Sequence, residues 1–245
     1  MSEALWQDPE LPALVEVELR APAEPQWRQE FAPELSYGRH AGPPRGDARP
    51  AAVAIVLCWD GRQWSLPLTV RNARLTRHGG QLSLPGGLID EGESPRDAAE
   101  RELEEELGRR PPLQWLGELS PLFVFASNAT VTPCVAAVDH WPAWIAQPAE
   151  VDRVLKLDLR DLLDPPQPPL SVQRGPFRFQ APQLIVEGQS AWGATAVMLG
   201  ELRGRLRRVA EQLKLDETIV GGVSDADIAL RQKPSSASET PPTTN

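Results

Sequence analysis

Glu102, Glu105 and Glu106 stand at i, i+3 and i+4 in the run Arg101-Glu102-Leu103-Glu104-Glu105-Glu106-Leu107-Gly108. On a helix that spacing puts three carboxylates on one face. Two carboxylates ~6 Å apart repel by roughly 3 kcal/mol at a surface-like effective dielectric, so the cluster calls for a compensating cation. Hard oxygen ligands on a rigid helix suit Mg2+ or Mn2+, which take carboxylates, waters and substrate phosphates. A cation so held neutralises charge on phosphate oxygens and lowers the pKa of water. The plainer reading is a solvated acidic helix face. The glycines of Leu84-Pro85-Gly86-Gly87 upstream, with Glu93 and Arg101 in fixed positions, favour the metal site.

A second group precedes it. Arg71, Arg74, Arg77 and His78 form a basic run just before the acidic helix. Arginine binds phosphate through bidentate, charge-assisted contacts, so the run fits a phosphate-rich ligand. The structural alternatives are that Arg71 and Arg74 are strand-end residues paired to surface acids, and that His78 serves a local hydrogen bond.

These groups need a scaffold. Ser94-Pro95 reads as a helix N-cap and first position, with Asp97 in the first turn. Gly108 followed by Pro111-Pro112 reads as its stop. Ala99, Leu103 and Leu107 give that helix an apolar stripe to lay on a sheet. Strands are expected at 49–58, 64–71, 81–84, 113–119, 131–138 and 151–157, with Asp60-Gly61 as a hairpin turn. A short helical turn at 158–163 should lead into a Pro165–Pro169 loop. Phe177–Gln180 and Gln183–Glu187 are expected to pair as a hairpin. A helix from Trp192 to Lys214 should carry Arg203, Arg205, Arg207 and Arg208 as a solvated face rather than a nucleic-acid patch. Strands mixed with two substantial helices predict an α+β fold, an α/β/α sandwich. We divide the chain into a partly ordered N-terminal arm (1–48), one domain (49–214) and a largely disordered C-terminal tail (215–245), most clearly from Lys233 onward.

The chain has 245 residues, 41% of them hydrophobic, and a net charge of −9. That acidity disfavours non-specific binding to nucleic acid or to an anionic membrane. The cysteines, Cys58 and Cys134, lie in apolar runs and are expected in the core, without disulfide or zinc spacing. The N-terminal residues do not read as a signal peptide, and no apolar run approaches a membrane span. A cytoplasmic location is therefore expected. Oligomeric state is open, a homodimer included.

The window Gly87, Glu93, Arg101-Glu102-Leu103, Glu105-Glu106 and Gly108 resembles the Nudix box, with all eight fixed positions present and Arg109 at the closing apolar position. The resemblance implies the Nudix fold, a mixed β-sheet flanked by helices, and metal-dependent hydrolysis of a nucleoside diphosphate linked to another group. It implies Glu102 and Glu106 as ligands to Mg2+ or Mn2+, Glu105 as third ligand or as the base, and the Gly86 carbonyl as a further ligand. Arg101 and Glu93 would orient loop and helix. The base differs among members and sometimes lies outside the box.

Upstream, Leu68-Thr69-Val70-Arg71, Leu75, His78, Gly80 and Gln81, in register with Pro85-Gly86-Gly87, are similar to the segment that marks coenzyme A diphosphatases. Trp192-Gly193-Ala194-Thr195-Ala196 looks like that subfamily's C-terminal helix start. Asn72, Thr76 and Leu84 depart from its usual small residue, arginine and phenylalanine. The implied reaction gives 3′,5′-ADP and 4′-phosphopantetheine, with Arg71, Arg74, Arg77 and His78 as substrate-binding residues. The alternatives are hydrolysis of ADP-ribose, NADH or a dinucleoside polyphosphate and, more remotely, a non-catalytic nucleotide-sensing module, which loss of box glutamates would have favoured.

Overall fold

The computed structural model describes residues 5–33, 46–76, 78–164, 167–174 and 176–222. Arg77 and the tail from Lys233 lie outside the described residues. In chain order the elements are α1 (Leu11–Leu19), α2 (Pro25–Gln29), β1 (Arg49–Trp59), β2 (Trp64–Arg71), β3 (Leu82–Ser83), β4 (Gly86–Leu88) and α3 (Pro95–Leu107). There follow β5 (Gln114–Glu118), β6 (Leu122–Val124), β7 (Ala129–Val138), β8 (Val151–Asp158), α4 (Leu159–Leu163), β9 (Gln167–Arg174), β10 (Phe177–Val186), β11 (Gln189–Trp192) and α5 (Ala194–Gly222).

Alternation along β1 builds a two-faced sheet. Ala51, Ile55 and Leu57 enter one core with α5 and the N-terminal helices. Ala52, Ala54, Val56 and Cys58 face a second core under α3, formed with Ala98, Ala99, Leu103 and Leu107. The result is a mixed sheet between helical layers, the Nudix fold: β1 runs parallel to β7, while the other pairings in this sheet are antiparallel. Cys58 and Cys134 are both buried, as expected.

The sheet opens where chemistry is expected. β1 and β2 pair only at Cys58–Ser65 and Trp59–Trp64, beside their hairpin. Beyond that they part, and the segment carrying β3 and β4 fills the gap: β3 pairs Thr69 and Val70 of β2, and β4 pairs Ala51 to Val53 of β1. The Ala54 amide donates to the Pro85 carbonyl at 2.8 Å. The glycine pair Gly86-Gly87 is thereby pinned against β1, and α3 lies across it.

α3 begins and ends where its sequence signals stand. The Asp97 amide donates to Ser94 Oγ, and the Ser94 amide donates to Asp97 Oδ2, a reciprocal capping box. Gly108 closes the helix in the left-handed region (φ 61°) and donates to the Glu104 carbonyl.

Four expectations need correction. Phe177–Gln180 and Gln183–Glu187 are not the arms of a hairpin. They belong to the single strand β10, which pairs with β11 on one edge and β9 on the other in a separate three-stranded sheet. Residues 167–169, expected in a proline loop, open β9. Prolines are tolerated there because β9 is an edge strand. The third correction concerns the arginines of α5. Arg203 and Arg205 are buried, at 1% and 3% exposure, and cannot form a solvated face. Arg205 donates to Glu201 Oε1 and to the Glu18 and Ala21 carbonyls, and Arg203 pairs with Glu30 at 2.7 Å.

The fourth is the end of α5, expected at Lys214 and found at Gly222. The ion pairs of Arg203 and Arg205 fasten the short helices of the N-terminal arm. Leu5, Trp6, Leu11, Val15 and Phe31 lie in the main core. Trp27 and Phe31 press onto α5 where it lacks side chains. A Cβ on Gly204 would fall 2.2 Å from the Trp27 ring, and one on Gly200 would fall 2.6 Å from Phe31.

Candidate active site

Of the three box glutamates, α3 turns each into a different environment. Glu105 is exposed, the Glu102 side chain keeps 14% of its exposure, and Glu106 keeps 1%. Their order follows from helix rotation: Glu106 lies next to Leu103 and Leu107, on the side that meets the sheet.

Glu106 is the most constrained. Its Oε1 lies 3.8 Å from Arg71 Nη1 and accepts a long hydrogen bond (3.5 Å) from the Gly86 amide. Its Oε2 is buried and finds no hydrogen-bond partner among the described residues. Burial pushes the carboxyl up to about 7, with the Glu102 and Glu150 charges adding to the rise, while Arg71 and the Gly86 amide oppose it. Burial likewise raises Glu102, against the pull of Arg101.

Arg101 organises the rest. Its guanidinium grips Glu93 with two bonds (2.8 and 3.0 Å), donates to Glu102 Oε1 at 2.8 Å and Glu105 Oε2 at 3.4 Å, and reaches the Leu88 carbonyl at 2.9 Å. These contacts tie β4, the loop after it and α3 together. Glu93 is held down to about 2 by the Arg101 bonds and by the Asp90 amide.

The glycines at this junction are required by close approach. A Cβ on Gly87 would sit 2.2 Å from Glu102 Oε1, and one on Gly86 would sit 2.3 Å from the Ala52 carbonyl oxygen. Gly87 therefore makes room for the Glu102 carboxylate.

Among the described residues no three His, Cys, Asp or Glu side chains form a ready cation cage. Arg101 holds Glu102 and Glu105 toward itself, and Glu106 leans toward Arg71. The donors nonetheless fit Mg2+ or Mn2+. Glu106 Oε2 is buried without a partner, Glu102 lies one turn away in its glycine cradle, and such ions need only one or two carboxylates besides water and substrate phosphates.

Beside these groups opens a cavity of about 820 Å3, within the ~300–1,000 Å3 range of ligand clefts. Arg71, His78 and Gly86 line it, as do Gln81 and Leu84 from the segment before the box. His78 adopts a left-handed backbone (φ 59°), and its Nδ1 lies 2.9 Å from Gln81 Oε1. Arg74 is exposed and does not line the cavity.

Several contributors had little sequence signal. Phe125, Phe179 and Trp192 line the cavity from the turn after β6, from β10 and from β11, in that order. None of Trp59, Trp64, Trp115, Trp141 and Trp144 lines it. Glu150 bears electrostatically on both Glu102 and Glu106. Its loop is fixed from two sides: the Gln147 amide donates to the Glu106 carbonyl, and the Asn72 amide donates to the Glu150 carbonyl. The Asn72 side chain adds a 2.6 Å bond to the Pro148 carbonyl, giving a task to one residue that departs from the subfamily pattern.

A family model described as the NUDIX domain matches residues 48–170. Among curated proteins, the "uncharacterized Nudix hydrolase NudL" of Citrobacter koseri is 32% identical over 157 residues, which cover 63% of this chain and 81% of that protein. Its namesake from Pectobacterium atrosepticum is 31% identical over 141 residues, covering 56% of this chain and 73% of that protein. Among solved structures, the Nudix hydrolase RenU of M. smegmatis aligns with a TM-score of 0.47 at 17% identity, over 74% of this chain and 94% of that one.

Proposed function

Because the chain belongs to the Nudix family, and so to the hydrolases that act on nucleoside diphosphate derivatives, we propose that it hydrolyses the diphosphate bond of coenzyme A. The products would be 3′,5′-ADP and 4′-phosphopantetheine. The observation that carries this reading is the Arg71–Glu106 pair beside the cavity. It joins the segment similar to coenzyme A diphosphatases to the buried glutamate of the box.

In this account Glu102 and Glu106, with Glu105 and the Gly86 carbonyl, would hold Mg2+ or Mn2+. The ion, when bound, supplies charge neutralisation for the diphosphate and lowers the pKa of water. The chain's own residues do the rest. Arg71 binds a phosphate oxygen by a charge-assisted bond. Arg101, clamped by Glu93, holds Glu102 and Glu105 at set orientations, so ligand geometry does not rely on side-chain entropy. Glu105, exposed and facing solvent, takes the proton of the attacking water or completes the ligand set; Glu150 is a further carboxylate within electrostatic reach. Arg74 and Arg77 meet the phosphates of the nucleotide half, and His78, which lines the cavity with Arg71, meets the diphosphate. Among the described residues no helix is long and apolar enough to cross a membrane.

The test is product identity. Incubation of coenzyme A with the protein and Mg2+ should give equimolar 3′,5′-ADP and 4′-phosphopantetheine by chromatography and mass spectrometry. Intact coenzyme A, under conditions where another nucleoside diphosphate derivative is cleaved, would refute the assignment.

A further inference from the structure

The cavity beside the carboxylates is poor in charge. Among the described residues lining it, Arg71 and His78 are the only side chains that can carry positive charge, and there is no aspartate or glutamate. Arg71 is already engaged with Glu106. One wall is apolar and comes from elements that lie mostly beyond the family-matched residues 48–170: Val172 on β9, Phe179 on β10, Trp192 on β11 and Met198 on α5. The turn after β6 lines it too, with Phe125 and Ala126.

We propose that this cavity receives the uncharged arm of the substrate, the amide- and methylene-bearing chain across the diphosphate from the nucleoside, and that Phe179 and Trp192 bound it. The inference rests on the coenzyme A reading and names which half of that molecule goes where. Charge decides first. The nucleoside half carries a dianionic 3′-phosphate, and among the described lining residues it would meet only Arg71, engaged with Glu106, and His78, bonded to Gln81, too little to compensate a buried dianion. Shape decides second. Phe179 and Trp192 pack against each other, with centroids 6.4 Å apart and planes at 60°. They do not form a parallel slot into which a purine could slide. An apolar wall with Gln81 and Thr76 on its rim suits a chain of methylenes broken by amides, since the polar groups can fix orientation while the wall supplies burial. The phosphate-bearing nucleoside is then left outside the cavity, where an exposed cation such as Arg74 can meet it.

Binding of the two halves to the full-length Glu106→Gln protein tests this by calorimetry, with 4′-phosphopantetheine and 3′,5′-ADP as probes. Val172→Trp, which fills the cavity from β9, should weaken 4′-phosphopantetheine at least about tenfold and change 3′,5′-ADP by less than about threefold. Ala126→Trp, an exposed turn position that also lines the cavity, repeats the test from a different segment if Val172→Trp does not fold. Loss of 3′,5′-ADP binding instead would place the nucleoside in the cavity and overturn the inference, as would unchanged binding of both halves. Those outcomes, with coenzyme A still hydrolysed by the unmodified enzyme, leave the proposed function standing. Refusal of coenzyme A by the unmodified enzyme removes the function and this inference together.

Discussion

Arg71 Nη1 stands 3.8 Å from Glu106 Oε1, while Oε2 of the same carboxylate is buried without a hydrogen-bond partner among the described residues. One oxygen is thus half-compensated and the other is not. A buried carboxylate in that condition is costly to the fold until a cation meets it. The first prediction follows from that imbalance.

The folded-state pKa of Glu106 is raised from 4.5 to about 7, mainly by burial. Between those two values the folded chain binds more protons than the unfolded chain, so stability falls as pH rises through the window. The loss totals about 3 kcal/mol, at roughly 1.4 kcal/mol per pKa unit. Metal-free protein should therefore lose stability between pH 4.5 and 7 on account of this group, and Glu106→Gln should flatten that part of the curve. Urea unfolding in EDTA across this range checks it; identical pH slopes in both proteins would show that Glu106 is not buried and charged as described.

Glu106→Gln should also lower kcat by ~10²-fold or more, comparable to losing a positioned acid–base group, with circular dichroism unchanged. Near-native turnover at saturating Mg2+ would mean that the ion is held elsewhere.

Gly87→Ala puts a methyl group where Glu102 Oε1 now lies, at 2.2 Å. The carboxylate must move, and loss of ligand orientation typically costs ~10–100-fold in metal affinity or activity. Titration with Mn2+ should show weaker binding. Unaltered Mn2+ affinity would count against Glu102 as a ligand.

Gly204→Ala sets two effects against each other. Helix propensity favours alanine by ~1 kcal/mol, but the new Cβ would fall 2.2 Å from the Trp27 ring, and overpacking costs ~1–3 kcal/mol. The packing term should win, lowering Tm. A raised Tm would show that Trp27 does not occupy the groove on α5.

Arg74→Ala and Arg77→Ala should narrow the preference for coenzyme A over dephospho-coenzyme A, because a charge-assisted phosphate contact contributes ~1.5–3 kcal/mol. Relative kcat/KM values measure it; an unchanged ratio would remove the 3′-phosphate from these arginines.

What could be read from the chain was local. α3 was legible from Ser94 to Gly108 because its cap, its stop and its apolar stripe are encoded within fifteen consecutive positions. The shared face of Glu102, Glu105 and Glu106 was equally plain, but not their unequal burial, which depends on how α3 sits on β1. Arg203 and Arg205 read as solvated because charge on a helix normally faces water. Only the distant Glu18 and Glu30, together with Glu201, make their burial tolerable. Gly200 and Gly204, four residues apart within a helix, were the available hint of a docked partner. The second sheet was obscured because the prolines of β9 read as loop and β10, with Pro182 within it, read as two short strands, and with it went the aromatic wall of Phe179 and Trp192.

The central claim is the substrate, and the most direct measurement is kcat/KM for coenzyme A, ADP-ribose, NADH and diadenosine polyphosphates under one set of conditions with Mg2+ or Mn2+. Coenzyme A should give the highest value. If ADP-ribose or NADH exceeded it by about tenfold or more, the Nudix chemistry would remain and the coenzyme A assignment would be contradicted.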